Sequence, residues 1–183
     1  MSKKKIELLL HRVYTCSKEG CTYVISLEEV GGLRKIPLIV GTGEAQAILM
    51  AQSGITPPRP LMHQVLASVF QVLDVHYLNA LIYKEEKGVY YSYIYLRFED
   101  KLLRVESRPS DALALSLVAD VPIYVYEDLL EEADQFIPEE ISNEIVKERE
   151  TSLLEAELKR AIEVEDYERA AVIRDKLKEL NEK

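Results

Sequence analysis

The sequence predicts an α+β fold: a mixed sheet or partly closed barrel from a duplicated strand-strand-strand-helix unit with packed helices, plus a C-terminal α-helical hairpin. Three observations carry this. Apolar, β-branched runs fall in two groups of three, bounded by glycine or polar turns. Each group leads into an apolar segment of helical spacing. The groups also align at one constant offset, which sets "IPLIVGTGEAQAILMA" against "LRVESRPSDALALSLV" and brings Glu44-Ala45 onto Asp111-Ala112.

In chain order, "KIELLLHRVYT" (5–15), "TYVISLEEV" (22–30) and "RKIPLIV" (34–40) read as strands, with turns at Gly20 and Gly31-Gly32. "GEAQAILMAQSG" then places Ala45, Ile48, Leu49 and Gln52 at helical spacing and stops at Gly54. "ITPPRP" interrupts the chain. A second helix, over about 60–73, carries Leu61, Val65, Val69 and Val72 on one face. "HYLNALIYKEE", "VYYSYIYLRF" and "KLLRVES" are three more strands. "PSDALALSLVAD" is a helix apolar almost all round, which predicts burial. "VPIYVYEDLLEE" adds a short strand and a helical turn. Residues 136–150 read as an acidic linker between a domain at 1–135 and a hairpin at 151–183. In that hairpin Leu154, Leu158, Ala161 and Ile162 share a face, as do Tyr167, Ala170, Ala171, Arg174, Leu177 and Leu180 after a polar corner. Some 30 residues bury too little to stand alone, so the hairpin must dock on its own domain, on a second copy, or on another protein.

The chain of 183 residues is 48% hydrophobic and 30% charged, as a soluble globular protein is. No apolar run approaches the roughly 20 residues of a membrane helix. The start, "MSKKKIELLLHRV", lacks the apolar stretch and small-residue cleavage site of a signal peptide, so a cytoplasmic location is expected. Cys16 and Cys21 flank "SKEG"; one such pair without nearby histidines falls short of a four-ligand zinc site and reads as two reduced thiols at strand ends. The net charge of −9 is unevenly spread. Residues 1–126 hold 14 basic and 13 acidic side chains, whereas 127–150 hold 2 and 10. The acidity is thus concentrated after the main domain, and a local basic patch on that domain is not excluded.

Two helices begin directly after Arg-Pro: Arg59-Pro60 and Arg108-Pro109. Proline suits a first helical position. Ser107 or Ser110 suits a cap, and Asp111 suits the positive end of the helix dipole and an i,i+3 pair with Arg108. Local capping accounts for every residue of "SRPSDALALSL". The same residues also suit a phosphate held by Arg59 and Arg108, with backbone N–H groups behind them. His63 lies four residues after Arg59, on the same helix face, where a histidine serves as general acid or base or as a polar rim residue. His11 and His76 lie in strands with no supporting constellation. In "YYSYIYLRF", Tyr91, Tyr93, Tyr95 and Arg97 alternate on one strand face. That stripe suits base stacking on a single strand, but cross-strand packing or a subunit interface is the better reading without a lysine-rich groove.

Residues 5–135 resemble the bifunctional nuclease domain of bacteria and plants, on "PLIVGTGEAQAI" (37–48), "PPRPLMHQVL" (57–66) and above all "SRPSDALALSL" (107–117). "AIEVEDYERAAVIRDKLKEL" (161–180) resembles the UVR motif, a helical hairpin of bacterial excision-repair nuclease subunits. The resemblance implies a nuclease acting on RNA and DNA, with Arg59, Arg108 and Ser110 at the substrate and Asp111, Arg108 and His63 catalytic. A divalent metal, Mg²⁺ or Mn²⁺, would then be held by Glu44 and Asp111, with Glu106 a further acidic candidate. The hairpin's need to dock points to a protein partner for residues 151–183, and the hairpin and the tyrosine stripe together point to a homo-oligomer. The competing expectation is a non-catalytic adaptor or anion-binding module that acts through the hairpin.

Overall fold

The computed structural model describes residues 3–15, 22–32, 34–134, 154, 158–162 and 166–181. The chain forms two compact units, Met1–Phe136 and Ile137–Lys183.

In the first unit the duplication is visible in the topology. Strands β1 (Lys5–Thr15), β2 (Thr22–Glu29) and β3 (Lys35–Gly41) form an antiparallel meander that runs into helix α1 (Thr42–Gln52). After α2 (Met62–Val72), strands β4 (Val75–Glu86), β5 (Val89–Phe98) and β6 (Lys101–Ser107) repeat the meander and run into α3 (Pro109–Ala119). A short β7 (Ile123–Tyr126) and α4 (Glu127–Asp134) follow. β7 inserts between the halves, giving the order β3-β2-β1-β7-β4-β5-β6. It pairs antiparallel with β1 and parallel with β4, so the two meanders run in opposite senses. The sheet is open, with β3 and β6 at its edges. Of the two architectures expected, the mixed sheet is the one formed.

The register explains the core. Ile6 and Leu8 of β1 pair with Val125 and Ile123 of β7, and Ile82 and Ala80 of β4 pair with the same two residues from the other side. All six are buried and form one sheet face. Ile36, Leu38, Ile94 and Leu96 extend it, and Ala45 and Ile48 of α1 with Ala112–Leu115 of α3 belong to the same cluster. Helix α3 is buried from Pro109 to Ser116 apart from Asp111, as its all-round apolar sequence predicts. Each fully buried leucine, such as Leu113, contributes about 1.5–3 kcal/mol relative to exposure. The helix ends at Asp120 in the left-handed conformation, φ 54, a conformation aspartate tolerates at a helix end.

Helix α2 differs from its sequence pattern. Leu66, Ala67 and Phe70 face the core, while Val65, Val69 and Val72 of the apolar stripe are exposed, Val72 at 84%. The stripe had the right period, but it points along the flank of the helix rather than into the sheet.

In the second unit, α5 (Tyr167–Asn181) packs Ala170 and Ile173 against Ala161, with Leu154, Leu158 and Leu177 around them. Ile162 and Arg174, expected on that face, are exposed, and Ile173 takes the buried place. The linker at 136–150, the corner at 163–165 and both cysteines lie outside the described residues. No helix among the described residues is long and apolar enough to cross a membrane.

Candidate functional site

Glu44, His63 and Asp111 come from three different helices and occupy the same place in each, the first turn. Each helix starts where an extended residue, Gly41, Leu61 or Arg108, turns into it. The α2 start is fixed by its own Gln64, whose Oε1 accepts from the Leu61 N–H at 2.9 Å. The α3 start is fixed by Pro109, with no N–H to lose.

Arg108 joins these turns. Its Nε donates to Asp111 Oδ2 at 2.8 Å and its Nη2 to Asp111 Oδ1 at 3.2 Å, a two-point fork. Its Nη1 donates to Glu44 Oε1 at 3.0 Å, across 64 residues of sequence. His63 Nε2 stands 3.4 Å from Asp111 Oδ1. The four side chains therefore form a row, Glu44–Arg108–Asp111–His63. A guanidinium carries five N–H donors. Three are engaged here, which leaves one on Nη1 and one on Nη2. The Arg108 side chain is 65% exposed.

The electrostatics favour charged partners. Burial alone would raise the Asp111 carboxyl, but the hydrogen bonds and charge of Arg108, with help from His63, hold it below the usual carboxylate range. Asp111 in turn, and then Glu44, raise the Arg108 guanidinium above its ordinary value. Three helix N-termini, each worth about half a positive charge, stand at these first turns. Below α3, the Tyr77 hydroxyl meets Ser116 Oγ at 2.8 Å, and burial pushes its phenol to about 12. That neutral contact ties α3 to β4.

Glu44 and Asp111, the pair expected to hold a divalent metal, both accept hydrogen bonds from the Arg108 guanidinium. Among the described residues no group of three or more His, Cys, Asp or Glu could hold a metal ion.

The other expected residues are placed as follows. Arg59 is exposed in the connection ahead of α2, with no ion pair to the row among the described residues. Ser110 is buried, at 8% exposure. Glu106 is exposed on β6, where it accepts from the Tyr83 hydroxyl at 3.4 Å. His76 is exposed beside Asp74, at 3.7 Å. His11, expected to be isolated, is not: its Nε2 lies 2.9 Å from Lys35 Nζ and its Nδ1 3.3 Å from Glu28 Oε2. Strand pairing was the missing signal, because Glu28 lies opposite both Leu9 and Lys35. The tyrosines pack across strands. Tyr83 stacks on Tyr93 at 3.9 Å, Tyr95 meets Tyr93 edge-on at 6.5 Å, and Arg104 lies 4.3 Å from the Tyr93 ring centre.

A model of the bifunctional nuclease domain matches residues 25–138, and a model of the UvrB/uvrC motif matches residues 148–183. Two curated relatives, uncharacterized proteins from two strains of Mycobacterium tuberculosis, are each 36% identical over 121 residues, covering 66% of this chain and 72% of theirs. The first match spans all four residues of the row and the second spans the helical unit. This chain belongs to the bifunctional nuclease domain family and carries a UvrB/uvrC motif behind that domain.

Proposed function

We infer that the chain is a nuclease that cleaves phosphodiester bonds in RNA and DNA. The observation that carries this reading is the Glu44–Arg108–Asp111–His63 row inside the matched domain. Arg108 binds the phosphate through its two remaining donors and stabilises the charge that grows on the phosphorane oxygens. Asp111 fixes Arg108 through the fork and orients His63. His63 carries a proton to or from a reacting oxygen. Arg59, four residues before His63, is a mobile-length side chain of the right charge for the neighbouring phosphate of the same strand. The reaction takes place in the cytoplasm. A metal ion is no part of this reading, because Arg108 already uses both carboxylates.

The second unit supplies a protein contact. Tyr167 and Val172 of α5 are exposed, at 67% and 58%, and exposed apolar and aromatic side chains on a helix suit a protein partner.

The test is cleavage of single-stranded RNA and DNA by highly purified chain, run beside Arg108→Ala and Asp111→Asn, with Mg²⁺, with Mn²⁺ and with EDTA. Cutting by wild type and its loss in both folded variants is the expected result. Equal cutting by all three preparations belongs to a contaminant and rejects the assignment.

A further inference from the structure

Helix α2 carries no Asp, Glu, Lys or Arg. Along one flank it shows Met62, Val65, Val69 and Val72 to solvent, at 75%, 41%, 43% and 84% exposure. Their spacing of three, four and three residues is the rhythm of a helix-to-helix seam, narrower than the face a helix turns to a domain core. The core is served by other residues of the same helix, Leu66, Ala67 and Phe70. A further flank belongs to α3. There His63 reaches Asp111, and Ala67, Ser68 and Gln71 line a cleft with Val118. The seam lies away from both, so an apolar stripe three turns long is left without a neighbour. Contiguous apolar surface of this kind marks an interaction site.

The stripe itself indicates what covers it. Three, four and three reads the same in both directions along the helix. Turned end for end, a second α2 therefore sets Met62 against Val72 and Val65 against Val69, and a two-fold axis repeats both pairs. This is the self-complementary pattern of an isologous interface. Charge selects the same direction. Arg59 is exposed just before the helix, and the Asp74 side chain is 94% exposed just after it. A parallel pair would place Arg59 beside Arg59 and like helix ends together. An antiparallel pair places Arg59 beside Asp74 of the second copy, and each positive helix end beside a negative one.

We propose that two copies of the chain associate through α2, antiparallel and about a two-fold axis, with Met62, Val65, Val69 and Val72 as the seam. The pairing leaves the Glu44–Arg108–Asp111–His63 row open, because His63 lies on the α3 flank. It also sets His63 of one copy opposite Gln71 of the other, so the two rows stand about 12 Å apart along the helix axes. The dimer goes beyond the nuclease reading and does not depend on it.

The experiment is sedimentation of the full chain over a broad concentration range, beside Val69→Glu and Gln71→Glu. Both positions are exposed in the single chain, and folding is checked by circular dichroism. Wild type is expected to sediment as a dimer. Val69→Glu puts a charge into the seam twice per dimer and should weaken association by roughly 100-fold or more. Gln71→Glu adds the same charge on the α3 flank and should leave the dimer intact. Register is read by disulfide trapping in a Cys16→Ser, Cys21→Ser background. An equal mixture of Val65→Cys and Val69→Cys chains should cross-link faster than either variant alone. A wild-type chain that stays monomeric at every concentration would overturn the proposal and assign the stripe to another occupant. A dimer untouched by Val69→Glu, or Val65→Cys chains that cross-link best with themselves, would overturn it as well. The readout is mass and cross-linking rather than cleavage, so a failed nuclease assay leaves this result standing.

Discussion

The two halves of the first unit share a frame and differ at its decisive position. Each half is a three-strand meander feeding a helix with a carboxylate in its first turn and a buried alanine directly after it: Glu44-Ala45 in α1 and Asp111-Ala112 in α3. At the helix start the first half has Gly41 and the second has Arg108. A Cβ built on Gly41 would lie 2.8 Å from Glu44 Oε2, so glycine lets the Glu44 carboxylate fold back over its own helix start. Its φ of −78 is ordinary, so space rather than backbone conformation is what glycine supplies. Arg108 fills the equivalent place with a cation that reaches both carboxylates. The duplicated frame thus holds a matched pair of acids, and one unmatched arginine joins them.

The largest expected effect removes that asymmetry. Arg108→Ala should lower cleavage by about 10²–10³-fold, the loss seen when one donor to a developing oxyanion is removed. Arg108→Lys keeps the charge but not the fork, and should recover only part of the rate. A lysine variant as fast as wild type would mean that point charge, not the fork, is what matters.

A smaller effect tests the shared frame. Ala45 and Ala112 are 1% and 0% exposed. Ala45→Leu and Ala112→Leu should each cost about 1–3 kcal/mol by overpacking, read from urea unfolding. Similar losses support two equivalent helices on one core. A loss confined to one half would show that only that helix is tightly packed.

Smaller still is Gly41→Ala. The new methyl displaces the free end of a flexible side chain, so the stability change should stay below about 1 kcal/mol. Cleavage should fall, but less than in Arg108→Ala, because the fork to Asp111 survives. Unchanged cleavage would remove Glu44 from the chemistry.

The acid limb of stability tests Asp111. Asp111 titrates below its usual range in the folded chain. Its contribution is therefore present above the usual carboxylate range and is lost as pH falls through the folded value. Because the pair is exposed, the contribution is below about 1 kcal/mol. Asp111→Asn should flatten the fall in stability with acid; thermal melts of both proteins across the carboxylate range measure this. The smallest effect belongs to the β6 edge. Leu102 is 67% exposed, and Leu102→Lys should shift stability within about ±0.5 kcal/mol.

Much of this was readable from residues alone. Apolar, β-branched runs bounded by turns placed the strands. The start of α3 was marked by Arg108-Pro109, and the repeat offset matched Glu44 to Asp111. The exposed side of α2 was not readable. Val65, Val69 and Val72 have the spacing of a buried face, yet Leu66 and Phe70 are the residues turned to the core. Period fixes that a helix has a stripe, not which neighbour the stripe meets. Likewise His11 looked isolated because its partners Glu28 and Lys35 lie on other strands.

By itself, the sequence determined the elements and their duplication, because these depend on local periodicity and residue chemistry. Only the tertiary structure decided that β7 enters between the halves, that three helix starts meet, and that Arg108 binds both carboxylates. Those outcomes depend on contacts between residues tens of positions apart, and the chain makes them only when the sheet has closed one shared core beneath α1 and α3.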